Sequence, residues 1–217
     1  MPTNAVPGFL PSRHGLRFSN FWASGPARQW NLGILHIGIG NPSWGLCGGM
    51  VFVARDRFER GEEAPAEGAA PAFGTPLFRA IVDRQFDSFG RLWTVPIRFW
   101  VASALFGANR RVRESVTAAW PRIRSDIDAG RLSMIGLVRG AGWNPMAVGM
   151  GHQVAAFRYD VTPERIAIGV YDPNHPGDDR VEIVLERLDG GEIRLSQSSG
   201  EPLVGLLHLP YGPPRSR

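Results

Sequence analysis

Three residues have the types and the chain order that thiol chemistry needs: Cys47, His152 and Asp172. Cys47 is the only cysteine in 217 residues. Before it lies a turn-rich stretch with Gly40, Pro42, Ser43 and Gly45. After it Met50, Val51, Val53, Ala54 and Phe58 fall mostly on one face of a helix. A cysteine placed where a loop becomes a helix faces the unpaired amides of the first turn and the positive end of the helix dipole. Both favour the thiolate, which is the nucleophile. Gly48 and Gly49 follow it and leave room for a substrate to approach. The competing reading is a buried cysteine packing as a small hydrophobe, so the thiol needs partners. Gly151-His152 opens one strand-like run, and Tyr171-Asp172-Pro173-Asn174 closes the next. If the two runs pair antiparallel, the start of one lies beside the end of the other. His152 and Asp172 then become neighbours although they are 20 residues apart. A cysteine nucleophile needs a base to take its proton, and the base needs a third group to fix its tautomer. Asp172 is the expected third group. Asn174 is the alternative, and the turn after Pro173 is expected to carry it outward to cap its own backbone.

The elements that must position these residues divide the chain in two. Residues 1–15 are rich in proline and glycine and read as an irregular arm. Residues 31–39 alternate loosely and read as a short strand feeding the cysteine loop. The helix after Cys47 is expected to stop near Gly61, where a loop of Glu, Ala, Pro and Gly begins. Thr75-Pro76 reads as an N-cap followed by proline at the first helical position. Further helices are expected over 95–106, 109–119 and 121–129, with Pro121 restarting the chain after Trp120. From Gly130 the texture changes to strand-like runs over 132–138, 152–159, 165–171, 181–188, 192–196 and 203–209, separated by turn residues. Helices first and strands second predict an α+β fold. The expectation is one domain over 1–217, with a mainly helical lobe over 16–130 and a β-sheet lobe over 131–217.

With these placements the chain resembles the papain-like cysteine peptidases, in particular the branch related to bacterial peptidases that process double-glycine leader peptides. The resemblance rests on Cys47 in Gly-Leu-Cys-Gly-Gly-Met, His152 in Gly-His-Gln-Val and Asp172 in Tyr-Asp-Pro-Asn. It covers roughly residues 32–172. It implies a two-lobed fold, with the nucleophile at the start of the central helix and the base and its orienting acid on the sheet. It also implies an oxyanion donor six residues before the cysteine, a position held here by Asn41 in place of the usual Gln. The implied reaction is cleavage of a peptide or isopeptide bond through an acyl-enzyme. Trp44, Gly48, Gly151 and the loop 140–150, ending in Met150, flank the nucleophile and base and are expected to line the substrate groove. The same triad would serve an acyltransferase or a deamidase. A non-catalytic binding module of the same fold would leave Cys47 unreactive.

Composition narrows the other classes. A single cysteine rules out an intrachain disulfide. A metal site needs clustered ligands. One cysteine and five dispersed histidines, with no His-x-x-x-His spacing, imply neither a metal nor another cofactor. All 24 basic residues are arginine and the net charge is +4. The cluster Arg110, Arg111, Arg113, Arg122 and Arg124 reads as a solvated helix face. No basic groove interleaved with aromatics suggests nucleic acid. Pro96 and Arg98 interrupt the longest apolar run, so membrane insertion is not expected. Residues 1–10 lack the basic start and apolar core of a secretory signal, which points to the cytoplasm. The expected partner is a peptide or protein substrate. His14 lies in the arm, His36 reads as structural, His175 as a rim residue and His208 as a satisfied core histidine.

Overall fold

The computed structural model describes residues 3–22, 28–32, 35–39, 45–90, 94–140 and 151–214. They form an α+β fold built on a curled antiparallel sheet. The organising strand is β5 (His152–Val161), which is apolar on both sides over most of its length and correspondingly buried. On one edge it pairs with β4 (Ser133–Val138), from Ser133 opposite Ala156 to Leu137 opposite His152. On the other it pairs with β6 (Arg165–Tyr171), with a bulge between Ala156 and Arg158. β7 (Glu182–Arg187), β8 (Ile193–Gln197) and β9 (Gly205–His208) complete the order β8-β7-β6-β5-β4-β9.

The arm is not irregular. Its β1 (Thr3–Ala5) pairs with β5 beyond the end of β4, from Thr3 opposite Asp160 to Ala5 opposite Arg158. β5 is longer than β4, and the arm satisfies the backbone groups that β4 leaves open. A single turn, α1 (Pro11–His14), follows. The strand expected over 31–39 is instead a hairpin. β2 (Arg28–Leu32) pairs antiparallel with β3 (Leu35–Ile39), which carries His36.

Helix α2 (Cys47–Glu59) lies between the sheet and α3 (Pro76–Ser88). Val51, Phe52 and Ala54 pack into the sheet core. Met50 and Val53 pack into a second core with Leu16, Phe18, Phe78, Ile81 and Val82. The apolar residues of α2 therefore serve two faces rather than the single face their spacing suggests. A helix apolar all round is a buried helix. Thr75 caps α3 as expected, its hydroxyl accepting the Phe78 N–H.

Close packing at the start of α2 depends on its glycines. A Cβ on Gly49 would sit 2.0 Å from the Ile81 carbonyl oxygen, and one on Gly48 would sit 2.2 Å from the Ser88 hydroxyl. These residues face α3 and Gln153, not an open groove, so the expectation that Gly48 receives substrate is corrected. Gly49→Ala would push α3 off α2. It is expected to cost about 2–3 kcal/mol, the scale of overpacking in a dense core. A urea midpoint equal to that of the wild type would contradict this.

The remaining helices are α4 (Thr94–Ala104), α5 (Ala108–Glu114) and α6 (Trp120–Asp128). The expected break at Trp120 does not occur. α5 runs through a π-helical turn at Ser115–Ala119 straight into α6. Pro121 offers no N–H for a helical bond, and the wider turn before it accommodates its ring. Arg111 also departs from the solvated face assigned to it. It is buried against Gly205 and donates to the Phe106 carbonyl. Among the described residues no helix is long and apolar enough to cross a membrane.

Candidate active site

The three chemical residues meet at one end of the sheet. Cys47 opens α2, and its first turn is held by side chains from elsewhere. Asn20 Oδ1 accepts the Leu46 N–H at 2.6 Å, and Gln85 Oε1 accepts the Gly49 N–H at 2.8 Å. These bonds satisfy amides that a helix start leaves unpaired. His152 is the first residue of β5, and Asp172 directly follows β6. Ala155 pairs with Tyr171, so Asp172 falls diagonally across from His152 on the same face. Tyr171 anchors that strand end: it is wholly buried and its hydroxyl accepts the Leu16 N–H at 3.1 Å.

His152 Nε2 bonds Asp172 Oδ1 at 2.6 Å. The other ring nitrogen, Nδ1, is not taken by Asp172, and the His152 side chain and the backbone of Gln153 and Gly48 lie where they favour a negative charge on the Cys47 sulfur. Asp172 is fully buried and well satisfied. Oδ1 also accepts the Asn174 N–H at 2.8 Å, and Oδ2 accepts Gln197 Nε2 at 2.8 Å.

Three ionisations shift as a result. Burial opposes the thiolate of Cys47, but the His152 charge and the polar groups of His152, Gln153 and Gly48 outweigh it and bring the thiol below its ordinary value. Burial likewise opposes the imidazolium of His152, yet the negative charges of Asp172 and Cys47 push it up to about 10. Burial opposes the Asp172 carboxylate too, and His152, Asn174 and Gln197 hold it at about 2. The three shifts act in one sense: they favour a thiolate on Cys47, an imidazolium on His152 and a carboxylate on Asp172.

These shifts have a signature in stability. His152, being raised, contributes stability that is complete below its unfolded value of about 6.5 and is lost as pH rises through about 10. Cys47, being lowered, contributes stability that is complete above the unfolded thiol value of about 8.5 and is lost as pH falls through its folded value. Asp172 contributes above about 3.9 and loses its share as pH falls through about 2. With the folded thiol value below about pH 6.5, the unfolded chain holds the shared proton on sulfur between about pH 6.5 and 8.5 while the folded chain holds it on the ring, so the proton counts match there. Relative to the Cys47→Ala/His152→Ala double variant, the wild type is expected to be most stabilised inside that window and less on both sides. Urea unfolding at about pH 5, 7.5 and 9.5 reads this; an increment independent of pH would contradict it.

The expected oxyanion donor Asn41 and, of the residues expected to line the groove, Trp44 and the loop 141–150 with Met150 lie outside the described residues. Gly151 precedes His152 and is half-buried. Asn174 does not cap its own backbone. Its Oδ1 accepts Asn20 Nδ2 at 3.3 Å, while the Asn20 N–H donates to the Pro173 carbonyl at 3.1 Å. Asn20 thus ties the helix start that carries Cys47 to the turn that follows Asp172. Gly45 admits this tie: its φ is +91°, and a Cβ there would sit 2.7 Å from the Asn20 amide nitrogen. Asn20 and Gln197 are positioning residues that sequence reasoning missed, because no local pattern marks either one.

Three of the other histidines have partners of their own. His14 is buried against Phe9 and Phe58, with Nδ1 3.1 Å from the Leu10 nitrogen. His175 Nε2 bonds Glu201 at 2.6 Å beside the site, and His208 Nε2 bonds Asp126 at 2.9 Å. Among the described residues no group of three or more His, Cys, Asp or Glu could hold a metal ion. No protein-family model, curated protein or solved structure matches the chain.

Proposed function

We propose that the protein is a thiol hydrolase of papain-like, two-lobed architecture that cleaves a peptide or isopeptide bond. The observation that carries the reading is the buried Cys47–His152–Asp172 chain, with its 2.6 Å bond between base and acid. The thiolate of Cys47 attacks the carbonyl carbon, and a C–S bond forms as the carbonyl electrons move to oxygen. The Gln153 and Gly48 amides release the sulfur as its charge moves to the substrate. Collapse breaks the C–N bond, and the imidazolium of His152 gives its proton to the leaving nitrogen. Water then attacks the thioester, its proton passing to His152. The acid leaves and the thiolate–imidazolium pair is restored. Asp172 stays ionised, holding the ring with Nε2 towards itself and stabilising its charge. In the papain-like reading Asn41 donates to the oxyanion.

The test is direct trapping. The protein is incubated with a pool of synthetic peptides in H2(18)O, quenched in acid and weighed by mass spectrometry. The reading predicts a thioester adduct on Cys47 and one 18O atom in the released acid. Cys47→Ala should show neither. Release of ammonia, or transfer of the acyl group to an amine, would redirect the reading to a deamidase or an acyltransferase. The absence of any adduct or product across the pool would count against catalysis.

A further inference from the structure

Arg139 stands on the His152 side of the sheet without an ion pair among the described residues. It follows the end of β4, two residues after Leu137, and Leu137 is paired with His152. Strand alternation carries it on the His152 side of the sheet. One guanidinium nitrogen, Nη1, donates to the Pro202 carbonyl at 3.2 Å, which fixes the head next to the segment that carries Glu201. The side chain is half-buried. Burial draws its pKa down, against the pull of the negative charges of Asp172, Glu201 and Cys47.

None of the nearby acids serves as its counter-ion. Asp172 Oδ1 is taken by His152 and the Asn174 N–H, and Oδ2 by Gln197. Glu201 Oε1 is taken by His175, and Oε2 by Ser199. Among the described residues Arg139 forms no ion pair. A guanidinium has five N–H donors in a planar fork suited to a carboxylate, and among the described residues one of them makes a hydrogen bond to the protein. A partly desolvated cation with spare donors is stabilised by an incoming anion.

We propose that Arg139 forms an anion subsite beside Cys47, so that the site selects substrates carrying a carboxylate close to the bond attacked. This rests on Cys47 acting as the nucleophile proposed above. The carboxylate could belong to an Asp or Glu side chain or to a free peptide C terminus; both offer the same group to the guanidinium.

Two reagents that differ by one carboxylate test the subsite without a known substrate. Iodoacetate and iodoacetamide alkylate the same sulfur. The ratio of their rates is expected to fall ~2- to 5-fold in Arg139→Gln, the scale of an ionic contact at a partly exposed site. Arg139→Lys, which keeps the charge, should retain most of the wild-type ratio. A ratio unchanged in Arg139→Gln would overturn the subsite, as would a ratio lost equally in Arg139→Lys and Arg139→Gln. In a second arm, short peptides protect Cys47 from iodoacetamide. Protection by amidated peptides with Asp or Glu assigns the subsite to a side chain. Protection by neutral peptides with a free C terminus assigns it to the chain end. Protection by neither series, or protection that survives Arg139→Gln, contradicts the proposal. Failure of Cys47 as a nucleophile is seen separately, in the pH dependence of iodoacetamide labelling alone.

Discussion

Asp172→Ala is expected to lower turnover by at least ~10²-fold, on the scale of triad deletions. Asn174→Ala should cost less than ~10-fold. The carboxylate of Asp172 is buried, holds His152 at 2.6 Å and supplies the charge that keeps the ring protonated. Removing it frees the ring to turn and leaves the imidazolium in an apolar site. Asn174 contributes to the acid through its backbone N–H, which alanine retains. Its side chain is exposed and loses one contact with Asn20. Asp172→Asn should fall between the two. An amide can still accept from the ring, and its NH2 needs an acceptor where Gln197 now donates. Gln197 Oε1 is buried without a partner, so a flip of that side chain provides one. The comparison uses kcat/KM on a peptide identified by trapping, or the inactivation rate with a peptidyl epoxide. An Asn174→Ala defect larger than that of Asp172→Ala would reverse the assignment.

His152→Ala is expected to move the inflection of Cys47 labelling up to about 8.5 or above, and to slow labelling at pH 6 by at least ~10-fold. Without the imidazolium the sulfur keeps two backbone donors, while burial, the largest single influence, still opposes charge. A thiol titrating at about 8.5 holds roughly 0.3 % thiolate at pH 6. That thiolate is more basic and intrinsically more reactive, which returns part of the loss but not all of it. The single cysteine makes the labelled site unambiguous. Labelling profiles that coincide in variant and wild type would mean that the two residues do not share a proton.

The triad is legible in the sequence because each member stands at a boundary that local rules mark. Cys47 follows a glycine turn and opens an apolar helix, His152 opens a strand after Gly151, and Asp172 ends one before Pro173. The antiparallel pairing of β5 with β6 then follows from the short turn between them. What local rules miss depends on approach in three dimensions. Gly48 and Gly49 look like an open floor, but they are spacers for α3 and Gln153. The arm looks irregular because Thr3–Ala5 is three residues long, and its pairing partner lies more than 150 residues away. Asn20 and Gln197 carry no motif; their roles exist only once Leu46, Asn174 and Asp172 are brought beside them. Arg111 reads as one of a basic run, and only the packing of α5 on β9 shows it buried.

The central claim is that Cys47 rests as a thiolate paired with protonated His152. The pH dependence of iodoacetamide labelling in the wild-type protein tests it most directly. The ion pair predicts a rate that rises at a pH well below the ordinary thiol value of about 8.5. It also predicts a second change near pH 10, where His152 loses its proton and the unpaired thiolate becomes more reactive. A single inflection at or above about 8.5, the behaviour of an unassisted thiol, would contradict it.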